Sequence, residues 1–272
     1  MLSPDHNNQG GMMRAALFDL DNTLIDYMRY REATAMAASR AMAKHGLPFE
    51  GTMIYERIFE IYDAYGMEYE KTYSEVVRGF DIRDLNRAER IQQAAIVAHQ
   101  GVMANVLQTY PEVKPGLREL RNMGLMLGLV SDGPRNKAWK RIVIAGLEDE
   151  FEVVVTHTDT GTFKPSPEPF LLALEKLGLE PSECLYTGDD PERDVKGARG
   201  VGMVTCLARY GYNQIKRYKK YDETKLPKAD YQIDSFGSLL LLVGEMEGMR
   251  ERYSEVTRKM GSRPPAKARL KR

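Results

Sequence analysis

Short apolar runs that break off at acidic or hydroxyl residues recur along the chain. The first, Arg14–Asp19, carries Ala15, Ala16, Leu17 and Phe18 and ends on a carboxylate. A buried parallel strand that delivers side chains at its carboxyl end has this pattern. Leu125–Ser131, Phe151–Thr156, Cys184–Gly188 and Met203–Ala208 repeat it, and Asp230–Ile233 does so more weakly. Amphipathic segments lie between them, at Lys114–Met123, Arg135–Ala145, Pro169–Leu177 and Glu192–Arg199. Strands alternating with helices predict βαβ units: an α/β fold with a Rossmann-like parallel sheet and helices on both faces.

The stretch from Tyr27 to Val113 breaks that rhythm. Arg29–Lys44, Tyr55–Tyr65 and Arg87–Leu107 place apolar residues three and four apart, the helical period. Gly46-Leu47-Pro48 closes the first of them. A segment of about 85 residues is too long for a loop, so an all-helical cap inserted after the first strand is expected. The domain reading is a leader over 1–12, a core built from 13–26 and 114–250, a cap over 27–113 and a tail over 251–272. The methionines and tyrosines of the cap, among them Met53, Tyr55, Tyr62, Tyr65, Met67 and Tyr69, are expected to form mostly its own core. Some of them could wall a substrate pocket.

Composition narrows the picture mainly by exclusion. The 272 residues are 43% hydrophobic and 29% charged, ordinary for a globular protein. Lys+Arg and Asp+Glu balance at 39 each, so no global field favours nucleic acid or a membrane surface. Cys184 and Cys206 both lie in apolar runs, which predicts buried, reduced thiols in a cytoplasmic protein. No stretch approaches the roughly 20 apolar residues of a membrane span; Leu239–Val243 is short and reads as the buried face of a terminal helix. Residues 1–11 lack the order of a signal peptide and read as a disordered leader. Past Glu251 the chain turns basic and proline-bearing, and from Arg258 onward it carries no aromatic residue, so a solvated tail is favoured over a nucleic-acid contact.

Four of the runs end in chemistry. Phe18-Asp19-Leu20-Asp21-Asn22-Thr23-Leu24 sets two carboxylates two residues apart, followed by a hydroxyl. Phosphoryl transfer needs an in-line nucleophile, a proton donor for the leaving oxygen and cations to neutralise the equatorial oxygens. One carboxylate can attack and the other can serve as general acid and base. Leu129-Val130-Ser131-Asp132-Gly133 brings a hydroxyl and a turn of backbone N–H groups to a strand end, where they can hold a phosphate oxygen.

Phe163-Lys164-Pro165-Ser166-Pro167-Glu168-Pro169 offers Lys164, a compact charge framed by prolines, to neutralise a phosphate and the attacking carboxylate. Tyr186-Thr187-Gly188-Asp189-Asp190-Pro191-Glu192-Arg193-Asp194 ends a strand in a cluster of hard oxygen ligands. Magnesium in phosphate-handling sites is held by such groups. Asp189 is the expected ligand beside Asp19 and the main-chain carbonyl of Asp21, with Asp190 and Asp194 in support behind them. Singly, each run also reads as an acidic turn, a plain bend or a surface lysine. Together they fall at the carboxyl edge of one sheet, where open α/β folds bind ligands.

In this order the motifs resemble the haloacid dehalogenase (HAD) superfamily, in its phosphatase-like branch with a helical cap between the first and second motifs. Phe18–Leu24 is similar to the first motif, Leu129–Gly133 to the second, Lys164-Pro165 to the third and Gly188–Asp194 to the fourth. The resemblance implies Asp19 as nucleophile, Asp21 as general acid/base, and Ser131, Asp132 and Lys164 at the phosphoryl group. Asp19, Asp21 and Asp189 would bind Mg²⁺. Asp21 argues for phosphorus chemistry over halide displacement. Asp190 and Asp132 depart from the small residue and the Asn common at those positions in the family.

The expected activity is hydrolysis of a small phosphorylated metabolite through an aspartyl-phosphate. A phosphotransferase or mutase sharing that first step, or an interaction protein on the same fold, stands as the alternative. Neither nucleic acid nor membrane is expected as a partner, and the chain would act as a monomer or homodimer. Tyr27, Arg29 and Arg135 are candidates for substrate contact.

Overall fold

A computed structural model describes residues 13–215, 221–248 and 256–258. The leader over 1–12, and the expected basic tail apart from 256–258, lie outside the described residues. Among the latter, six strands form one wholly parallel sheet: β1 (Ala15–Phe18), β2 (Met126–Ser131), β3 (Val153–Thr156), β4 (Cys184–Gly188), β5 (Val204–Ala208) and β6 (Tyr231–Ile233). Each expected strand is present, trimmed by up to two residues at its start. The order is β3-β2-β1-β4-β5-β6. The chain thus winds outward in both directions from β1, and the switch point between β1 and β4 leaves a crevice at their carboxyl ends.

Four helices follow β1 before the chain returns to the sheet: α1 (Tyr27–Lys44), α2 (Gly51–Tyr65), α3 (Thr72–Arg78) and α4 (Leu85–Val106). They bury a core of their own around Met42, Ile54, Ile58, Val76 and Ile91. The connections out and back run side by side, with Asp26 N–H donating to Gln108 O and Tyr110 N–H to Leu24 O, both at 3.1 Å. The helix α3 went unread because Thr72–Arg78 is only seven residues long and too short to display a period. Of the expected cap core, Tyr62 is buried, but Met53 and Tyr65 are 49% and 61% exposed. These two sit where α2 turns its side away from its neighbours.

The remaining helices cover the sheet: α5 (Val113–Asn122), α6 (Arg135–Ala145), α7 (His157–Thr160), α8 (Glu168–Leu177), α9 (Lys196–Gly200), α10 (Arg209–Ile215) and α11 (Phe236–Met246). On one face Leu117, Leu120, Phe236, Leu240 and Val243 pack over β1 and β2. On the other, Phe170, Leu174, Tyr186 and Ala198 do so. Residues Phe236–Gly244 of α11 are all buried, so the apolar run near the end is a core helix with more than one covered face. The expected helix over Glu192–Arg199 begins instead as a single π-helical turn, Pro191–Val195, before α9. That wider turn aims Asp194 back at the sheet. Both cysteines are free and buried. No described helix is long and apolar enough to cross a membrane.

Candidate active site

Strand register assembles the first part of the site. Phe18 pairs with Thr187 across β1 and β4 and with Leu129 across β1 and β2, so Asp19 emerges beside the turns that follow both neighbours. Its N–H is tied to Thr187 O at 3.0 Å. The chain then reverses: the N–H groups of Leu24 and Ile25 both donate to Leu20 O, at 3.0 and 3.1 Å. Asn22 adopts the left-handed conformation (φ 59°) that Asn tolerates better than most residues, and its side chain accepts from Met28 N–H at 3.0 Å. The turn so formed presents Asp19 and Asp21 toward one cavity.

Lys164 reaches that cavity from the loop between α7 and α8, where its backbone N–H donates to Asp132 Oδ1 at 2.9 Å. Its ammonium is buried and lies 2.6 Å from Asp19 Oδ1 and 2.7 Å from Asp194 Oδ1. Val130 O and Tyr186 Oη, both at 3.2 Å, complete its surroundings. Burial would strip the proton from Lys164, but Asp19 and Asp194 hold it on and raise its affinity well above the ordinary lysine range. Asp194 Oδ2 in turn accepts from Asp190 N–H at 2.9 Å. Gly188 is what makes room: a Cβ there would stand 2.3 Å from Asp194 Cγ.

The carboxylates outnumber this one lysine. Burial pushes Asp19 well above the usual carboxylate range, and Lys164 only partly offsets it against Asp194 and Asp21. Burial drives Asp189 up too, reinforced by Asp19 and Asp194. Asp189 Oδ2 is buried with no hydrogen-bond partner. Ligand oxygens of Asp19, Asp189 and Asp194 lie within 4.8 Å of one another. An all-oxygen, negatively charged cluster with an orphaned carboxylate oxygen fits a hard divalent cation.

Asp21 is built differently. Burial raises it to about 6, with Arg141 pulling the other way. The Nε of Arg141 is 3.0 Å from Asp21 Oδ1, yet its N–H is not aligned for a hydrogen bond; the pair interacts through charge. Arg141 Nη1 donates to Glu68 Oε1 at 2.6 Å, and Tyr27 Oη donates to the same oxygen at 2.7 Å. Burial pushes Glu68 up, but Arg141 and the Tyr27 hydrogen bond outweigh it and hold the carboxyl down at about 2.

Of the residues marked in the sequence, Asp19, Asp21, Asp132, Lys164, Asp189, Asp190 and Asp194 line a single cavity of about 800 Å³. Ser131 stands just behind it, buried, with its hydroxyl accepting from Gly133 N–H at 3.2 Å. The oxygens of Asp132 are engaged by Lys164 N–H and by Arg193 at 3.1 Å, so this side chain pins two loops together. Tyr27 lines the cavity, whereas Arg29 is exposed outside it and Arg135 pairs with Asp159. Glu68, Arg141, Tyr186 and Arg193 were not anticipated. Arg141 had a readable signal: it sits on the face of α6 that buries Ala138, Ile142 and Ala145, where a charge needs a partner. Glu68, in the loop between α2 and α3, had none.

A turn carrying two carboxylates, a buried lysine and a cation-ready carboxylate cluster meet at the switch point of a parallel sheet, beneath an inserted helical cap. Residues 13–202 match the family model for haloacid dehalogenase-like hydrolases, and the chain belongs to that family. It is 32% identical to a glyceraldehyde 3-phosphate phosphatase from Methanopyrus kandleri, over 86% of this chain and 99% of that protein. It is 29% identical to a phosphoglycolate phosphatase from Yersinia pestis, over 85% of this chain and 94% of that one. The crystal structure of a HAD phosphatase from Thermococcus onnurineus superposes with a TM-score of 0.59 at 27% identity, covering 85% of this chain and 98% of that one.

Proposed function

We propose that the chain is a Mg²⁺-dependent phosphatase that hydrolyses a small phosphorylated metabolite through an aspartyl-phosphate on Asp19. The observation that carries this is the buried Asp19–Lys164 contact of 2.6 Å beside Asp21, in a cavity that residues of the cap also line. A carboxylate Oδ of Asp19 attacks phosphorus and the ester oxygen departs with a proton from Asp21. Water then attacks the acyl-phosphate, Asp21 takes its proton, and inorganic phosphate leaves with Asp19 restored. Lys164 favours the ionised form of Asp19 against the effect of burial and neutralises phosphoryl oxygens. Asp19, Asp189 and the main chain of Asp21 would hold Mg²⁺, which supplies Lewis-acid stabilisation of the transferring group. Ser131 and the turn that follows it would hold a phosphoryl oxygen.

Relatives acting on glyceraldehyde 3-phosphate and phosphoglycolate, by their names, support a substrate of that size. The buried reduced thiols fit a cytoplasmic setting. The test is release of phosphate from p-nitrophenyl phosphate and a panel of metabolite monoesters, with Mg²⁺ and with EDTA, for the native chain and Asp19→Asn. Turnover that needs Mg²⁺ and disappears in the variant is expected. Turnover unchanged in Asp19→Asn would rule the mechanism out, and phosphate passed to a sugar instead of water would make the enzyme a transferase.

A further inference from the structure

Glu68 belongs to the loop over 66–71, which the cap lowers onto the leaving-group side of the cavity. Gly66 (φ 88°) turns the chain out of α2, and its N–H closes the helix on Tyr62 O at 2.8 Å. Three cations then fasten the loop. Arg31, a buried residue of α1 with its guanidinium 4.2 Å above the Tyr62 ring, donates to Met67 O. Lys137 Nζ donates to Glu68 O at 2.7 Å and lies 3.4 Å from Glu68 Oε2. Arg141 and Tyr27 take the other carboxylate oxygen, as described above. The carboxylate is therefore a fixed wall of the pocket next to Asp21.

The cations of the cavity lining are all committed. Lys164 is shared by Asp19 and Asp194, Arg193 by Asp132 and Asp190 at 3.1 and 3.9 Å, and Arg141 by Asp21 and Glu68. Each of the three already faces two carboxylates, so a second anion on the substrate would have to share one of them. A carboxylate carried by the leaving group would have to compete with Glu68 and Asp21 for Arg141, and with Glu68 for Lys137, in a partly desolvated space. A hydroxyl or carbonyl would meet matching groups instead. The second oxygen of Glu68 can accept, and Arg141 Nη2 is buried, has no hydrogen-bond partner and lies over Gly133, where a Cβ would come within 2.5 Å of it.

We propose that Glu68 is a specificity-determining residue that selects phosphate monoesters with an uncharged, hydroxyl- or carbonyl-bearing leaving group and rejects those carrying a carboxylate. This rests on the phosphatase reading above and narrows its substrate class. It favours esters of the glyceraldehyde type over esters of phosphorylated acids. Rejection comes from a charge already seated on Arg141, and specificity by such an occupied partner is a matter of repulsion as much as of fit.

The matched pair glyceraldehyde 3-phosphate and 3-phosphoglycerate differs at one end of the molecule, aldehyde against carboxylate. The experiment measures kcat/KM for both, with p-nitrophenyl phosphate as reference, in the native chain, Glu68→Gln and Glu68→Asp. The native chain should prefer the aldehyde. Glu68→Gln keeps the shape, frees Arg141 and should move the ratio toward the acid on the order of tenfold, while Glu68→Asp, which keeps the charge, should retain the native preference. A native chain that takes the acid as well as the aldehyde would overturn the proposal. So would a Glu68→Gln variant that loses both activities in proportion, which is how a purely structural residue behaves. Turnover of p-nitrophenyl phosphate with neither metabolite accepted overturns it too and leaves the phosphatase reading standing; no Mg²⁺-dependent turnover of any ester removes that reading and the proposal together.

Discussion

Two ion networks face each other across the cavity, each built on one cation shared by two carboxylates. The Asp19–Lys164–Asp194 network hangs on the ends of β1 and β4 and is sealed in the core. The Asp21–Arg141–Glu68 network bridges a tight turn, a covering helix and a loop of the inserted cap. Strands in register cannot move apart without breaking the sheet, so the first network holds groups that must stay in line with phosphorus. The second joins separate layers and exists only while the cap is seated. On the proposed mechanism the chemistry rests on the rigid side, and on the Glu68 proposal the selection of substrate rests on the side that can part.

Breaking the rigid network should abolish turnover. Asp19→Asn removes the proposed nucleophile while keeping the shape, and kcat on p-nitrophenyl phosphate should fall on the order of 10³-fold or more. Stability should hold or rise, because an amide needs no counter-charge in a buried site. An equally inactive but unfolded variant, read by circular dichroism, would contradict that account. Lys164→Met should also silence the enzyme, and for a second reason. It strands Asp19 and Asp194 in the core, and loss of one partner from a buried ionic group costs about 3–5 kcal/mol. Thermal unfolding of the two variants side by side separates the effects: both inactive, with only the lysine variant markedly destabilised.

Loosening the seam should retune rather than silence. Arg141→Met takes away the charge that pulls Asp21 down toward about 6. The Asp21 carboxyl should then hold its proton to higher pH, by about one unit for loss of one adjacent charge. With Asp21 as the proposed proton donor to the leaving oxygen, the fall of kcat/KM on the alkaline side should move up in pH by a similar amount. The acyl-phosphate step that needs Asp21 ionised should slow in the same range. A pH profile of the variant that superposes on the native one, merely scaled, would mean Arg141 acts on the cap alone.

The contrast also explains what could be read in advance. The sheet and the rigid network were legible because both obey local rules. Apolar runs that stop at Asp19, Ser131, Thr156 and Gly188 mark strand ends, and parallel register brings the residues after them together without further instruction. Gly188 is a case where one letter carries geometry, since any side chain there would collide with Asp194. The seam was not legible. Glu68 lies in an irregular stretch between two helices whose docking angle no periodicity encodes, and its partners are Tyr27, Lys137 and Arg141, far off in the chain. Arg29 and Arg135 were plausible for the opposite reason: charge near a motif is visible in sequence, but whether it faces the cavity is decided by helix rotation.

The smallest effect tests the imbalance of charge on the rigid side without any mutation at the seam. Asp19 and Asp21 both hold their protons to higher pH when folded than the ordinary carboxylate, chiefly through burial. A carboxyl near pH 4 when unfolded and higher when folded leaves the folded protein with more bound protons between those values. Stability in EDTA should thus be greatest at the acid end of that window and decline as pH rises from about 4 past about 6, Asp21 contributing the lower part and Asp19 with Asp189 the upper. Each group contributes a slope of at most about 1.4 kcal/mol per pH unit, or a few degrees in Tm for a chain of this size. Mg²⁺ should flatten the upper part by binding the ionised carboxylates, and Asp19→Asn should flatten it even in EDTA. Thermal scans across pH 5–8 measure both, and a Tm that rises with pH in EDTA would mean that Lys164 alone already balances the cluster.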